Sequence, residues 1–388
     1  MPSVSPAHVQ GVCAPRFEPL RQLFASNITN GVDLGASLAV TVDGEFVVDL
    51  CGGWADVERT RAWGPETITL VFSTTKMMAA LAALVLVDRG ELDLDAPVAH
   101  YWPEFAAQGK GGVLVRHVLA HTSGVPGWEQ PVTMQDLCDW DKSTSLLAAQ
   151  APWWEPGTAS GYQMRNHGHL IGEIVRRITG DKLGAFYARE VAAPLGVDFR
   201  IGLPASKFAR VAQHELPSAP PRITPDMLPP GSIPAKVFFN PVEDPGFRES
   251  ATYRQAELGA MNGFGNAHSV SRALSVLANG GEVDGVKLLS AKTISRIFER
   301  QSQGVDRVLG FPLSWGIGYA LPAPPLDTLV PAGSQVCFWG GYGGSMTVID
   351  VGRRMTISFV MNKLQQDIIG GPRVGALVAA AYACVAAT

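Results

Sequence analysis

One segment of this chain must be buried in the folded protein, because it is apolar on every side. Met77 to Val87 contains eleven residues without a charged or polar side chain. A bilayer span needs about 20 apolar residues, so this run is too short to cross a membrane. A helix that is apolar all round lies inside a protein. The sequence therefore predicts a fold built around one central helix, Ser73 to Arg89, closed by Gly90.

Strand patterns lie near both ends of the chain. Apolar, β-branched runs flank Asp43-Gly44, which predicts a two-residue hairpin within residues 35–53. Near the other end SQVCFWGG, GSMTVIDV and MTISFVMN predict three strands, the last two joined by a short turn at 352–354. An Ala-rich helix over 373–385 would pack across them. We expect an α/β fold of the α+β type, with a central antiparallel sheet flanked by helices.

The middle of the chain is helical in pattern. Apolar residues recur at helical spacing over 167–179 and 269–278, and glycines follow both segments. Nine prolines lie between residues 217 and 245, which predicts neither regular helix nor central strand there. We expect a sheet domain of residues 1–80 and 265–388, and a helical insertion domain of residues 81–264 with an irregular wall over 204–250. A cleft between the two parts is the natural place for a site.

The start of the central helix carries a nucleophile pattern. Lys76 follows Ser73 by three residues, so the two side chains lie on one face of the helix. An amine in this apolar environment loses hydration, which lowers its pKa and allows it to accept a proton. The positive end of the helix dipole favours negative charge that develops at the serine. A Ser and a Lys at this spacing also occur by chance, and the apolar context is what favours a catalytic pair.

Composition excludes several classes of function. The chain has 388 residues, a net charge of -4 and no cluster of basic residues, so a nucleic-acid surface is not indicated. Its five widely spaced cysteines predict neither a disulfide framework nor a zinc site. The segment MPSVSPAHVQ lacks the basic and apolar regions of a signal peptide. We expect a cytoplasmic protein without metal or cofactor and without membrane contact.

Three motifs in order resemble those of the serine β-lactamase and penicillin-binding-protein superfamily. They are Ser73-Thr74-Thr75-Lys76, then GTASGYQ with Tyr162, then Trp339-Gly340-Gly341 where lactamases carry Lys-Thr-Gly. Within the superfamily the chain looks like the class C branch and its esterase relatives, the family VIII carboxylesterases. The resemblance spans about residues 35 to 365. It implies a central antiparallel sheet beside a helical half, with the site between them.

The resemblance also implies a role for each motif residue. Ser73 would attack the acyl carbonyl, and Lys76 and Tyr162 would share the proton transfers, with either as the resting base. The backbone N–H groups of Ser73 and Tyr342 would hold the oxyanion. Substrate would lie close to the backbone at Gly340 and Gly341, whose missing side chains leave room for it.

Two departures from the lactamase pattern bear on the substrate. Met164 replaces the asparagine of the Tyr-x-Asn motif, and Trp339 replaces a lysine that would bind the antibiotic's carboxylate. Loss of a charge-assisted hydrogen bond costs about 1.5–3 kcal/mol. We therefore expect an apolar pocket for uncharged acyl groups, lined by Trp339, Trp154 and Met164, and a small-molecule ester as substrate.

Three other functions remain open from the sequence: an acyltransferase acting on a natural-product alcohol, a β-lactamase or D-amino-acid peptidase, and a non-catalytic binding module. A homo-oligomer is also compatible with it. The chain contains no Gly-x-Ser-x-Gly motif, which argues against an α/β-hydrolase. His167 and His169 stand two apart and do not face each other on a helix, so they do not predict a metal site. We expect His121 to bond a loop backbone.

Overall fold

The computed structural model describes residues 8–331, 333–367 and 369–386. The strands in chain order are β1 Gln10–Cys13, β2 Gly35–Val42, β3 Glu45–Gly53, β4 Thr69–Leu70, β5 Arg200–Ile201, β6 Gly263–Gly265, β7 Glu282–Val283, β8 Val286–Lys287, β9 Ser302–Val305, β10 Pro312–Trp315, β11 Ala320–Leu321, β12 Val336–Gly340, β13 Met346–Asp350 and β14 Met355–Met361. The α-helices are α1 Glu18–Thr29, α2 Thr75–Asp88, α3 Val98–Tyr101, α4 Val115–Leu119, α5 Met134–Cys138, α6 Trp140–Ala149, α7 His167–Thr179, α8 Leu183–Tyr187, α9 Ile233–Phe238, α10 Ala251–Gln255, α11 Ala267–Ala278, α12 Ala291–Ile297 and α13 Pro372–Ala386.

One large antiparallel sheet joins the two ends of the chain. Its strand order is β1-β3-β2-β14-β13-β12-β11-β10-β9, and each neighbouring pair is antiparallel. The N-terminal strands meet the C-terminal ones where β2 pairs with β14 along its length. The expected central antiparallel sheet is confirmed.

Helices cover both faces of this sheet. Ser271 of α11 contacts the Ser358 hydroxyl at 3.0 Å, while the Arg373 guanidinium of α13 lies 5.5 Å from the Phe359 ring centre. Consecutive residues of a strand point to opposite faces, so α11 and α13 lie on opposite sides of β14. Helix α1 packs against α13.

The predicted hairpin is present and its turn has the expected conformation. Asp43 and Gly44 connect β2 to β3 with φ values of 52° and 86°. Two consecutive residues with positive φ define a turn whose twist matches that of the flanking strands. Glycine and aspartate accept this conformation more readily than most residues.

Helix α2 is the central element that the apolar run predicts. Its regular part begins at Thr75, two residues later than expected, because Ser73 and Thr74 form the preceding turn. Its residues from Thr75 to Leu86 are all buried, including Lys76. In the part of the chain that the structure describes, no helix is long and apolar enough to span a bilayer.

The Pro-rich segment contains more regular structure than its composition predicts. Helix α9 forms inside it, so the expectation of no helix between residues 217 and 245 was wrong. Pro234 occupies the first turn of α9, where a backbone N–H has no helical partner and its loss costs little. Strand β5, from the middle of the chain, pairs with β6 beside β4. The division into a sheet domain and an insertion domain stays a prediction.

Candidate active site

Ser73 lies in a tight turn between β4 and α2. Phe72 before it has a φ of 48°, which is uncommon for a bulky side chain. Thr75 holds this turn, because its hydroxyl donates to the Phe72 carbonyl at 2.5 Å and accepts the Gly263 N–H at 2.7 Å. Backbone strain of this kind persists only where the surroundings enforce it, commonly at functional sites. The turn leaves Ser73 half-buried at the start of the central helix.

Lys76 is buried beside Ser73, and no carboxylate of the described residues pairs with it. Its Nζ lies 3.2 Å from the Ser73 Oγ and donates to the carbonyls of Met164 at 2.7 Å and Ala260 at 2.9 Å. Burial, and then the positive charge of Arg165, holds the pKa of the Lys76 amine well below its ordinary value. The amine is therefore poised to be neutral and basic.

Tyr162 completes a cluster with the serine and the lysine. Its ring centre lies 4.7 Å from the Lys76 Nζ, and its hydroxyl interacts with Ser73 and accepts the Trp339 Nε1–H at 3.1 Å. Burial raises the pKa of the Tyr162 phenol above its ordinary value, so the phenol stays protonated. The structure thus brings together the three residues that the motifs predict.

Two residues that the sequence did not single out as site residues hold the Tyr162 segment. The buried Asp306 carboxylate accepts the backbone N–H of Tyr162 at 3.0 Å. The Nδ1 of His121 accepts the backbone N–H of Gln163 at 3.1 Å, which agrees with its expected role in bonding a loop backbone. Asp306 lies 144 residues away in sequence, and no motif around it indicates this contact.

The backbone at Gly341 lies close to the turn that contains Ser73, which concerns the two expected oxyanion donors, the N–H groups of Ser73 and Tyr342. A Cβ atom added to Gly341 would meet the Val71 carbonyl oxygen at 2.2 Å and the Ser73 nitrogen at 3.1 Å. Only glycine permits this approach, which brings the residue before Tyr342 against the nucleophile turn. Among the described residues, neither the Ser73 nor the Tyr342 backbone N–H donates a hydrogen bond within the protein. Both are free to bind an oxyanion.

Ser345 ties the two sides of this contact together. Its hydroxyl donates to the Val71 carbonyl at 3.0 Å and lies 3.0 Å from the Thr74 hydroxyl, while its own carbonyl accepts the Gly341 N–H at 2.8 Å. Ser345 therefore spans the segments before and after Ser73 and fixes the glycine-rich turn beside them. Sequence reasoning missed it, because a serine after two glycines carries no distinguishing signal.

Trp339 is placed differently from a simple pocket wall. The indole is buried in β12, packs against Trp315 with ring centres 4.6 Å apart, and bonds the Tyr162 hydroxyl. It therefore constrains the position of the Tyr162 hydroxyl. Gly340 ends the same strand, where a Cβ would lie 2.7 Å from the Ser345 carbonyl oxygen.

The other two expected pocket residues also lie near this cluster. Trp154 is mostly buried; its Nε1–H donates to the Ala159 carbonyl at 3.0 Å, and its ring covers Gly161, next to Tyr162. Met164 supplies a carbonyl to Lys76 through its backbone, and its side chain is half-buried. Their contact with substrate stays a prediction.

Arg165 is a second residue that sequence reasoning missed. It is buried and joins the catalytic segment to the Pro-rich wall, donating to the carbonyls of Val237 at 2.5 Å and Phe238 at 3.2 Å. It also forms an ion pair with Glu243 at 2.9 Å. Because its neighbour Met164 bonds Lys76, Arg165 connects the Pro-rich wall to the segment that contacts Lys76.

The two histidines of α7 are buried against other groups of the protein. His169 Nε2 lies 2.9 Å from the Leu137 carbonyl, and the His167 ring stacks on His121 with centres 4.4 Å apart. Burial lowers the pKa of His167 to about 3 and that of His169 to about 4, so both rings are neutral at physiological pH. No group of three or more His, Cys, Asp or Glu side chains suited to a metal occurs in the described ranges.

The sheet, its helical cover and the Ser-x-x-Lys turn define the class of β-lactamase and penicillin-binding-protein folds. The family model described as Beta-lactamase matches residues 24–380 of this chain. The chain belongs to the beta-lactamase family.

Esterases are among the similar proteins. The chain is 32% identical to "Esterase/beta-lactamase LipL" of Mycobacterium tuberculosis, with 93% of this chain and 84% of that protein covered. It is 31% identical to "Esterase EstB" of Burkholderia gladioli, with 90% and 91% covered. A solved structure described as a family VIII carboxylesterase superposes with a TM-score of 0.90 at 38% identity, covering 97% of this chain and 100% of that one.

Proposed function

We propose that this protein is a carboxylesterase that cleaves its substrate through an acyl-enzyme on Ser73. The single observation that carries the proposal is the environment of the Lys76 amine. A neutral amine has two N–H bonds and one lone pair. The Met164 and Ala260 carbonyls accept the two N–H bonds, at 2.7 and 2.9 Å. The lone pair is then left for the Ser73 hydroxyl at 3.2 Å, which makes Lys76 the resting base.

In the acylation step, Lys76 takes the Ser73 proton as the Oγ attacks the ester carbonyl. The carbonyl oxygen becomes an oxyanion that accepts the backbone N–H groups of Ser73 and Tyr342. Tyr162, which is protonated, gives its proton to the departing alcohol as the ester C–O bond breaks. The Lys76 ammonium then returns a proton to Tyr162, so acylation leaves both groups as they began.

Deacylation uses the same groups with water in place of the alcohol. The neutral Lys76 amine takes a proton from water as the water oxygen attacks the acyl carbon, and the Lys76 ammonium then gives that proton to the Ser73 Oγ as the acyl bond breaks. The products are the carboxylic acid and the free enzyme. An alcohol that replaced this water would make the enzyme an acyltransferase by the same steps.

Esters are favoured over lactams by the residues at two positions. Trp339 stands where lactamases of the resembled type have a lysine that binds the carboxylate of the antibiotic. Met164 stands where they have an asparagine whose amide binds the antibiotic. The esterase name of EstB and the close superposition on a family VIII carboxylesterase support the same substrate class, whereas the name of LipL includes both esterase and beta-lactamase.

The test is a chain-length series of p-nitrophenyl esters assayed beside a chromogenic cephalosporin. Wild-type protein should hydrolyse short esters with a kcat/KM well above that for the cephalosporin, and Ser73→Ala should lose both activities. A cephalosporin rate that matches the ester rate would contradict the ester proposal. Product analysis with an added alcohol acceptor separates hydrolysis from acyl transfer.

A cytoplasmic location and a homo-oligomeric state stay predictions. Light scattering coupled to size-exclusion chromatography measures the mass in solution against the 41.3 kDa of one chain. A single mass of one chain would contradict the oligomer. Fractionation of cells that express the native gene tests the location.

A further inference from the structure

The mechanism above leaves unused one cation beside the nucleophile turn. The Arg248 guanidinium, on the Pro-rich wall, lies 5.3 Å from the ring centre of Phe72, the residue immediately before Ser73. The Tyr342 ring meets the same Phe72 ring edge-on, with centres 5.6 Å apart. Tyr342 is also the residue whose backbone N–H forms the second oxyanion donor. The cation therefore stands beside the residues that border the proposed oxyanion site.

Arg248 has a long ion pair and a ring contact, but no hydrogen bond to a described residue, to compensate its burial. Its side chain is 13% exposed, and its guanidinium donates no hydrogen bond to any described residue. Its Nε lies 3.8 Å from the nearer Glu243 oxygen, beyond hydrogen-bond distance. Glu243 is also engaged elsewhere, since it accepts two hydrogen bonds from Arg165 at 2.9 and 3.2 Å. The Nε of Arg248 is thus buried without a hydrogen-bond partner among the described residues, a cost in free energy that a ligand accepting its N–H could recover.

A second arginine of the same region, Arg254, has a hydrogen-bonded anion, which Arg248 lacks among the described residues. Arg254 lies 5.2 Å from the Phe208 ring centre, and its side chain is 16% exposed, close to the value for Arg248. Its guanidinium, however, bonds the Glu249 carboxylate. The two arginines share chemistry, burial and an aromatic neighbour, and they differ in whether a hydrogen-bonded anion is present.

Two titratable side chains near Arg248, those of His214 and Tyr342, are neutral and do not balance its positive charge. His214 lies 5.3 Å from Phe72 between ring centres, and burial, followed by the charge of Arg248, lowers the pKa of His214 to about 3. That histidine is therefore neutral. Burial raises the pKa of the Tyr342 phenol, so this group is neutral too. Glu243 remains as the anion nearest to Arg248.

We propose that Arg248 binds a carboxylate carried by the ester substrate. The inference rests on the proposed esterase function and deepens it by naming a substrate class, esters that bear a free carboxylate. A guanidinium presents several N–H donors that match a carboxylate in a two-point contact. The expectation of uncharged acyl groups was based on the residues at positions 164 and 339. The Pro-rich wall supplies a different cation, Arg248, beside Phe72. A carboxylate on a flexible part of the substrate could reach it.

The test compares two matched pairs of esters. Mono-p-nitrophenyl glutarate and its methyl ester differ by a carboxylate on the acyl side, and 4-acetoxybenzoate and its methyl ester by one on the alcohol side. The measured quantity is the ratio of kcat/KM for the charged member to that for the neutral member. In Arg248→Met this ratio should fall about tenfold to a hundredfold for at least one pair, the loss expected for a charge-assisted hydrogen bond.

Two further variants make the result specific. Arg248→Lys keeps the charge and should retain part of the wild-type ratio. Arg254→Met removes the paired arginine of similar burial and should leave the ratio as in wild type. An unchanged ratio in Arg248→Met for both pairs, or an equal fall in Arg254→Met, would overturn the proposal.

A binding measurement separates failure of this proposal from failure of the esterase function. If wild-type protein cleaves none of the four esters, the esterase proposal fails, and the carboxylate site is tested without turnover. Titration calorimetry then measures monomethyl glutarate binding to Ser73→Ala, with and without Arg248→Met. The second substitution should weaken binding at least tenfold. Equal affinity, or no binding to either variant, would contradict a carboxylate site at Arg248.

Discussion

The Lys76 Nζ lies 3.2 Å from the Ser73 Oγ, and both of its other hydrogen-bond partners are backbone carbonyls. In the part of the chain that the structure describes, no carboxylate pairs with this amine, and burial disfavours its charged form. A lysine in an ion pair would remain an ammonium and could not accept a proton. This arrangement underlies the first three predictions.

Ser73 should be the residue that becomes acylated. A serine-directed phosphonate should add once per chain, on the peptide that contains Ser73, as measured by mass spectrometry. Ser73→Ala should lower kcat by about 10⁴ or more, because the covalent route is lost. A label on another serine, or near-normal turnover in Ser73→Ala, would refute the assignment.

Lys76 and Tyr162 should act as one proton relay. Lys76→Met and Tyr162→Phe should each slow acylation severely, and the double variant should be little slower than the worse single one. Groups that act as a unit show this non-additive loss. The measurement is the single-turnover acylation rate of a p-nitrophenyl ester. If the two losses multiply, the residues act independently.

The rate should fall at low pH as Lys76 becomes protonated, because only the neutral amine accepts the Ser73 proton. The Arg165 charge helps lower the pKa of Lys76, so Arg165→Gln should move the acid limb of the kcat/KM profile to higher pH. Tyr162 stays protonated, because its pKa is raised. The pKa values of His121 and His167 are lowered, so both rings stay neutral.

The control for this shift is Arg165→Lys, which keeps the charge and should keep the acid limb near that of wild type. Both variants disturb the bonds from Arg165 to the Pro-rich wall, so both are expected to raise KM. An acid limb that stays in place in Arg165→Gln would show that the charge of Arg165 does not act on the base.

The indole N–H of Trp339 should assist Tyr162. Trp339→Phe keeps an aromatic ring but removes the donor to the Tyr162 hydroxyl. A hydrogen bond of this kind contributes about 1 kcal/mol, so kcat should fall about fivefold. Trp315→Phe is the matched control, because the buried Trp315 Nε1 has no hydrogen-bond partner in the described part of the chain. A similar fall in kcat for both variants would indicate a packing effect alone.

Trp339→Lys tests the substrate argument from the same position. The new cation should favour carboxylate-bearing lactams relative to p-nitrophenyl acetate, even if absolute rates fall. The ratio of kcat/KM for the acetate ester to that for a chromogenic cephalosporin should therefore decrease. An unchanged ratio would show that position 339 does not face the carboxylate of the antibiotic.

Much of the fold could be predicted from local sequence. The Asp43-Gly44 hairpin and the three C-terminal strands depend on turn chemistry and β-branched runs, which act within a few residues. The central helix follows from eleven consecutive apolar residues, because a helix that is apolar on all sides is stable only when it is buried. Helix α9 was missed because a count of prolines does not distinguish a proline in the first turn of a helix, which is tolerated, from one that breaks a helix.

The sequence by itself determined the family and the pairing of Ser73 with Lys76, because ordered motifs and a spacing of one helical turn are local properties. Only the tertiary structure decided the surroundings of that lysine. Its two carbonyl partners lie 88 and 184 residues away, so no local pattern records them. The Arg248 guanidinium, which makes no hydrogen bond to a described residue, is likewise a product of folding, because its burial and its 3.8 Å separation from Glu243 depend on every segment packed around it.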